Sequence, residues 1–248
     1  MGQVESEAIV LRTYDLAEAD KIAVCLTREA GLVRAVARGA RRLKSRFGGG
    51  LEPFTLVQLS YYEKEGRELV TLRHLEIVRS YFKLAGSVEC VSALAYMSEL
   101  VLAFAPPHEP NERLYRMIRA SLEAIESAPE ALDLSLRYFE AWMLRLTGFF
   151  SLSKSCALCG KGFAQGSSMR IDTELRQLCE DCGKGLGTKI SVAARESLRR
   201  MQRESPQEFV SAGARPDGVA LRELEQLLRR IIRYVLEREP GRAQASFK

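Results

Sequence analysis

Four cysteines and six cations are the residues whose types and spacing point to chemistry in this chain. The cysteines fall in two CxxC pairs, Cys156 with Cys159 in CALCG and Cys179 with Cys182 in CEDCG. Nineteen residues separate the pairs, inside the spacer of about 15–20 found in four-thiolate zinc sites. Two cysteines three apart on a tight turn aim their sulfurs at one ion, and Gly160 and Gly183 follow the pairs where the backbone must turn. Four thiolates complete a tetrahedral shell at about 2.3 Å per bond and leave no position for water, which argues for structural zinc and against catalysis. The plain reading is that zinc staples a loop-rich insertion. No strand–helix–strand context surrounds either pair, so a thioredoxin-like redox role is not favoured. Cys25 and Cys90 lie in apolar patterns and read as small buried hydrophobes.

The cations lie in GLVRAVARGARRLKSR, residues 31–46: Arg34, Arg38, Arg41, Arg42, Lys44 and Arg46, with no acid among them. The chain has 37 Lys plus Arg against 32 Asp plus Glu; without these six the balance is 31 against 32, so the positive excess resides in this one segment. Phe47, Tyr61 and Tyr62 lie nearby in sequence or on expected neighbouring strands and are candidate base-stacking rings. A cationic groove with stacking rings suits single-stranded nucleic acid, because phosphates attract cations and every base has a π-face. The alternative is a solvated loop whose charges pair with acids elsewhere; the lack of local acids favours the nucleic-acid reading.

Strands must carry these cations. KIAVCLT (21–27) alternates, with Ile22, Val24 and Leu26 on one face. A glycine turn at REAG leads to a second strand, 32–38, which puts Arg34, Val36 and Arg38 on one side. FTLVQLSYYEK (54–64) and RELVTLRHLEIV (67–78), parted by Gly66, form another hairpin, and SEAIVLRTY adds a fifth strand. Five short strands in about eighty residues suit an OB-fold barrel. Helical period follows over 84–149, with stripes at Val88, Val91, Leu94, Met97, Val101 and Leu102, and at Leu136, Phe139, Met143 and Leu146. It returns at 190–202 and 221–236, and the tail from Glu239 reads as loose. The fold class is therefore α+β and multidomain: an OB-fold barrel (1–82), a helical domain (83–150), an inserted four-cysteine zinc module (151–188), and closing helices with the tail (189–248).

Much is excluded. The N-terminus has no signal-peptide core, and no apolar run approaches the eighteen or so residues of a membrane span, so a cytoplasmic protein without membrane contact is expected. There are two histidines, His74 and His108, no phosphate-cradling GxxxxGK[ST], and no acidic cluster for a nuclease metal site. Asp15, Glu18 and Asp20 read as turn residues. The chain is not expected to be an enzyme.

With these residues laid out, the chain resembles the RecO family of bacterial DNA repair and recombination mediators. AIVLRTYDLAEADKIAVCLTREAGLVRAVARGARRLKSRFGGGLEPF (8–54) carries the resemblance, most specifically GLVRAVARGARRLKSR followed by Leu-x-Pro-Phe. Gly48-Gly49-Gly50 departs from the bulkier residues expected there. The resemblance implies an N-terminal OB-fold, a helical domain and a four-cysteine zinc module. It implies binding of single- and double-stranded DNA, annealing of complementary strands, a complex with RecR, contact with the acidic C-terminal tail of single-strand-binding protein, and loading of the RecA recombinase, with no cofactor consumed. Arg38, Arg41, Arg42, Lys44 and Arg46 match the family's basic motif one by one; Arg34 is added from strand alternation. Arg113, Arg116 and Arg119 on 111–127 are candidates for the tail's cationic lip. Three alternatives stand beside this reading: an RNA-binding module of another process with the same barrel and zinc, a metalloenzyme, and a scaffold whose basic loop meets an acidic protein.

Overall fold

A computed structural model of the chain describes residues 2–63, 66, 68–211 and 215–238. The expectation for the tail from Glu239 falls outside these residues. By internal contacts the chain forms two compact units, Met1–Leu122 and Glu123–Lys248. The division therefore lies within a helix, whereas the sequence reading puts its first boundary at residues 82 and 83.

In the first unit, strands β1 (Gly2–Leu16), β2 (Asp20–Thr27), β3 (Gly31–Ala37), β4 (Leu56–Glu63) and β5 (Leu69–Arg79) pair in the order β1-β2-β3-β5-β4, and β4 returns to β1. All pairings are antiparallel except β3 with β5, which is parallel. This is the OB-like barrel expected from the strand count.

Which side chains fill it differs from the alternation reading. Ala23 and Cys25, not Val24 and Leu26, belong to the barrel core, together with Ala8, Ala35 and Ala37. A five-stranded barrel is narrow, so small side chains point inward. Val24 and Leu26 point outward, yet both are buried. Burial pushes the Cys25 thiol up to about 12, in keeping with its role as a small hydrophobe. The β1–β2 register slips between Val10 and Arg12, a bulge that leaves the Leu11 carbonyl off the ladder. The Ser98 hydroxyl donates to it at 3.0 Å from helix α1 (Val88–Phe104). Helix α1 starts at Ser87, whose hydroxyl accepts from the Cys90 amide. Its inward face carries Cys90, Ala93, Met97, Ser98, Leu100 and Val101, while Val88 and Val91 are exposed. The helix is apolar nearly all round, so periodicity alone does not mark its inner side. Helix α2 (Glu112–Ser127) follows.

At the start of β3 a glycine is required by packing. Gly31, at φ +68, opens β3, and a Cβ there would lie 2.2 Å from the Glu109 carbonyl oxygen.

In the second unit, α3 (Leu132–Leu146) packs on α4 (Val192–Met201), α5 (Pro206–Ser211) and α6 (Gly218–Arg238). The aromatic pieces end in satisfied polar groups: Tyr138 donates to the Glu204 carbonyl at 2.8 Å and Trp142 to the Met201 carbonyl at 2.6 Å. Between α3 and α4 the chain forms a small sheet of β6 (Met169–Ile171), β7 (Gln177–Leu178) and β8 (Thr188–Ile190), in the order β7-β6-β8. Met169, Ile171, Leu178 and Ile190 are its fully buried apolar residues.

Candidate functional site

The basic segment leaves the end of β3 and runs through a series of tight turns. The Ala40 amide donates to the Ala37 carbonyl, Arg42 to Gly39, and Ser45 to Arg42. Two of the three acids that read as turn residues, Asp15 and Asp20, brace it. Asp20 Oδ1 accepts from the Gly39 amide at 2.7 Å, and the Arg41 amide donates to the Ala19 carbonyl at 2.9 Å. Arg41 also donates to the Ala17 carbonyl and stands 3.6 Å from Asp15. Arg41 is thus partly an anchor of the loop. Arg34, Arg38, Arg42, Lys44 and Arg46 are exposed. Arg46 lies over the Phe47 ring at 4.9 Å from its centroid. Among the described residues, no ion pair engages Arg38, Arg42 or Lys44.

The candidate rings fare differently. Phe47 is 3% exposed and Tyr61 2%, and both belong to the barrel core. Neither ring is available to stack on a base, which corrects the sequence reading. Loop position and strand alternation look alike for a core ring and a surface ring. Phe47 turns back from the basic loop, and Tyr61 sits on the inner face of β4. Burial pushes the Tyr61 phenol up to about 12. Only Tyr62 reaches the outer face, where the Arg73 guanidinium lies 4.9 Å from its ring centroid.

Arg73 is the residue that sequence reasoning missed. Thr71 is paired with both Tyr62 of β4 and Val36 of β3, and Leu69 with Arg34. Residues 69, 71 and 73 share one face of β5, so the outer face of Arg34 and Val36 continues to Arg73 and Tyr62. The signal was the parallel pairing of β3 with β5, which no hairpin rule supplies. The Gly48–Leu51 segment is a 3-10 turn, with Gly50 buried. A Cβ on Gly50 would come 2.1 Å from Leu75 Cδ2, so a bulkier residue there requires Leu75 to move.

The four cysteines of the second unit come together. Their sulfurs all lie within 4.8 Å of one another, with Cys159 and Cys179 at 3.8 Å. A tetrahedron of four 2.3 Å bonds has an edge of about 3.8 Å, so the set fits a metal ion at its centre. Backbone geometry aims the sulfurs: the Gly160 amide donates to the Cys156 carbonyl, Gly183 to Cys179, and the Cys182 amide points at Cys179 Sγ at 3.5 Å. Gly183 has room for no Cβ, which would meet Arg170 Cδ at 2.8 Å and the Cys179 carbonyl at 3.0 Å. The backbone amides of Cys159 and Cys179 hold the Cys156 thiol down at about 6, and hydrogen bonding to Cys159 and Cys179 pushes Cys182 up to about 12. Four neighbouring sulfurs cannot all shed protons without a cation between them.

The surrounding module is tied down by two side chains. Gln177 donates to the Ser151 carbonyl and accepts from the Ser153 amide, both at 2.7 Å. Arg195 reaches from α4 and donates to the Ala164 and Ser167 carbonyls at 2.8 Å, with its guanidinium 5.0 Å from the Phe163 ring centroid. Elsewhere in this unit, Trp142, Phe150, Leu198 and Met201 line a small groove with Arg145 at its edge, stacked over the Trp142 ring. Of the three candidate lip residues in the first unit, Arg113 and Arg116 are exposed and Arg119 stands 3.5 Å from Glu7. Among the described residues no helix is long and apolar enough to cross a membrane.

Against known families, residues 1–81 match "Recombination protein O N terminal" and residues 87–244 match "Recombination protein O C terminal". The chain belongs to the RecO family. It is 35% identical over 195 residues to a DNA repair protein RecO of Anaeromyxobacter sp. (strain K), covering 78% of this chain and 76% of that one. It is 32% identical over 236 residues to a DNA repair protein RecO of Geobacter metallireducens, covering 92% and 95%. A third, from Roseiflexus sp., is 33% identical over 237 residues, covering 95% and 82%. Membership of the RecO family gives the chain a role in DNA repair and recombination.

Proposed function

We propose that the chain is a non-enzymatic recombination mediator of the cytoplasm and nucleoid. It binds single- and double-stranded DNA through the loop and strand edge carrying Arg34, Arg38, Arg41, Arg42, Lys44 and Arg46, with Arg73 and Tyr62 extending the same face. The observation that carries this is the braced loop with Arg38, Arg42 and Lys44 exposed and without an ion-pair partner among the described residues. A cation held away from acids is available to displace counterions from phosphate. Two DNA strands repel each other; a cationic surface lowers that repulsion and concentrates both, and base pairing then anneals them without ATP.

Zinc, held by Cys156, Cys159, Cys179 and Cys182, serves structure. The partners are RecR and the acidic C-terminal tail of single-strand-binding protein, and the outcome is loading of RecA on coated DNA. An acidic tail with apolar end residues suits an apolar groove with a cation at its edge, and Trp142, Leu198 and Arg145 support that reading in the second unit.

The test is binding to a labelled single-stranded oligonucleotide across a salt series, with RNA of the same sequence as competitor. Changing Arg38, Arg42 and Lys44 together to Ala removes three contacts and flattens the log–log slope by about 2. An unchanged slope and affinity in the triple variant would move the DNA surface elsewhere.

A further inference from the structure

The basic loop lacks the exposed ring expected of a single-strand binder, since Phe47 and Tyr61 are inside the barrel. It does have an apolar side chain of another kind. Leu43 is 102% exposed. It sits next after Arg42 in the four-residue turn Arg42–Ser45, closed by the Ser45 amide donating to the Arg42 carbonyl at 2.9 Å. That makes Leu43 one of the two central residues of the turn, at its tip. Arg42 and Lys44 flank it directly, and both are exposed.

A lone exposed leucine is ordinary on a protein surface. Three features set this one apart. Turn tips favour Gly, Asn, Asp, Pro and Ser, each for a backbone or hydrogen-bonding reason that leucine lacks. The segment entering the turn is held on its N-terminal side, by Asp20 on the Gly39 amide and by the Ala19 carbonyl on the Arg41 amide, which limits where Leu43 is carried. Cations on either side would draw a polyanion across this tip, with its non-phosphate parts facing the leucine. Of the components of a nucleic acid, the base is the one with a broad apolar face, and in a single strand that face is reached without the unstacking cost of a few kcal/mol per step that a duplex imposes.

We infer that Leu43 packs against the face of an unpaired base, with Arg42 and Lys44 holding the flanking phosphates, and so supplies the base contact that distinguishes single strand from duplex. This rests on the DNA-binding reading above and adds a residue and a preference to it. The recognised chemistry is an unstacked nucleobase of any sequence, because a leucine offers no hydrogen bonds to read one.

The experiment uses the full chain with a single-stranded oligonucleotide containing 2-aminopurine, whose emission rises on unstacking, and a blunt duplex of the same sequence. Leu43→Ala and Leu43→Gln are compared with the parent. The expected result is about fivefold weaker single-strand binding for either variant, from the loss of part of one leucine's burial. The salt slope is unchanged because no phosphate contact is lost. The emission rise seen with the parent disappears, and duplex affinity stays the same. If both variants match the parent in single-strand affinity and emission, the inference falls while the DNA reading stands. An equal loss on single strand and duplex would also overturn it, since the leucine would then act through the shape of the loop. If the parent fails to bind either DNA at low salt, the DNA reading itself fails.

Discussion

In the barrel, a closed ring of strand pairings surrounds a core that includes Phe47, Tyr61, Leu59 and Leu72, and every strand lends residues to it. In the cysteine module, three strands of two or three residues enclose four fully buried apolar side chains, and four sulfurs converge beside them. The first region is stabilised by burial; the second has a cysteine cluster that could hold a metal ion and side-chain bonds to its neighbours. A two- or three-residue strand buries too little to hold itself, so the module depends on groups that reach in from outside its sheet. The barrel holds its shape whatever its surface charges, so the loop is free to spend residues on binding. The module has no such surplus of buried apolar surface.

Removing the metal proposed for the cysteine cluster should separate the two regions most widely. Structural zinc supplies on the order of 10 kcal/mol to a small domain. Chelation, or Cys156→Ser, should abolish amide-exchange protection over 151–190 and leave 2–63 protected; retained protection in the module would show that it folds by burial after all. Phe47→Ala comes next, at about 3–5 kcal/mol lost from the barrel. A stacking role would instead give a stable barrel with weakened DNA binding, so the melting curve decides between core and surface. Arg195→Met should cost about 2 kcal/mol, because the Ala164 and Ser167 carbonyls lose their donor. Exchange should quicken around 163–167, and equal quickening in the barrel would count against a local role. Smallest is Arg42→Ala, expected within about 0.5 kcal/mol of the parent in stability. A larger loss would mean that the basic loop helps to hold the barrel.

The longer elements were legible from the sequence. Period two marked KIAVCLT and its hairpin partner, period 3.6 marked α3 and α6, and CxxC spacing brought four sulfurs into one cluster. What escaped depends on closure in three dimensions. Ala23 and Cys25 point inward because the barrel is narrow, a condition no single strand states. Asp15 and Asp20 looked like turn filler until β1 and β2 folded beneath residues 39–41. The sheet of the cysteine module escaped because strands of two or three residues carry no measurable alternation. Arg73 joined the face of Arg34 only through the parallel β3–β5 ladder.

That ladder has a bearing on how the protein is made. Gly2 pairs with Glu63 once β4 is made, but Arg34 pairs with Leu69, so the ring as a whole cannot close until β5 has been synthesised. Barrels with such non-local pairings fold slowly compared with helical bundles. On a ribosome, the basic turns of 38–46 emerge well before the strands that complete the surface beneath them. During that interval the nascent chain carries its cations without a platform, and the outer face from Arg34 to Arg73 is assembled late, in one closing step.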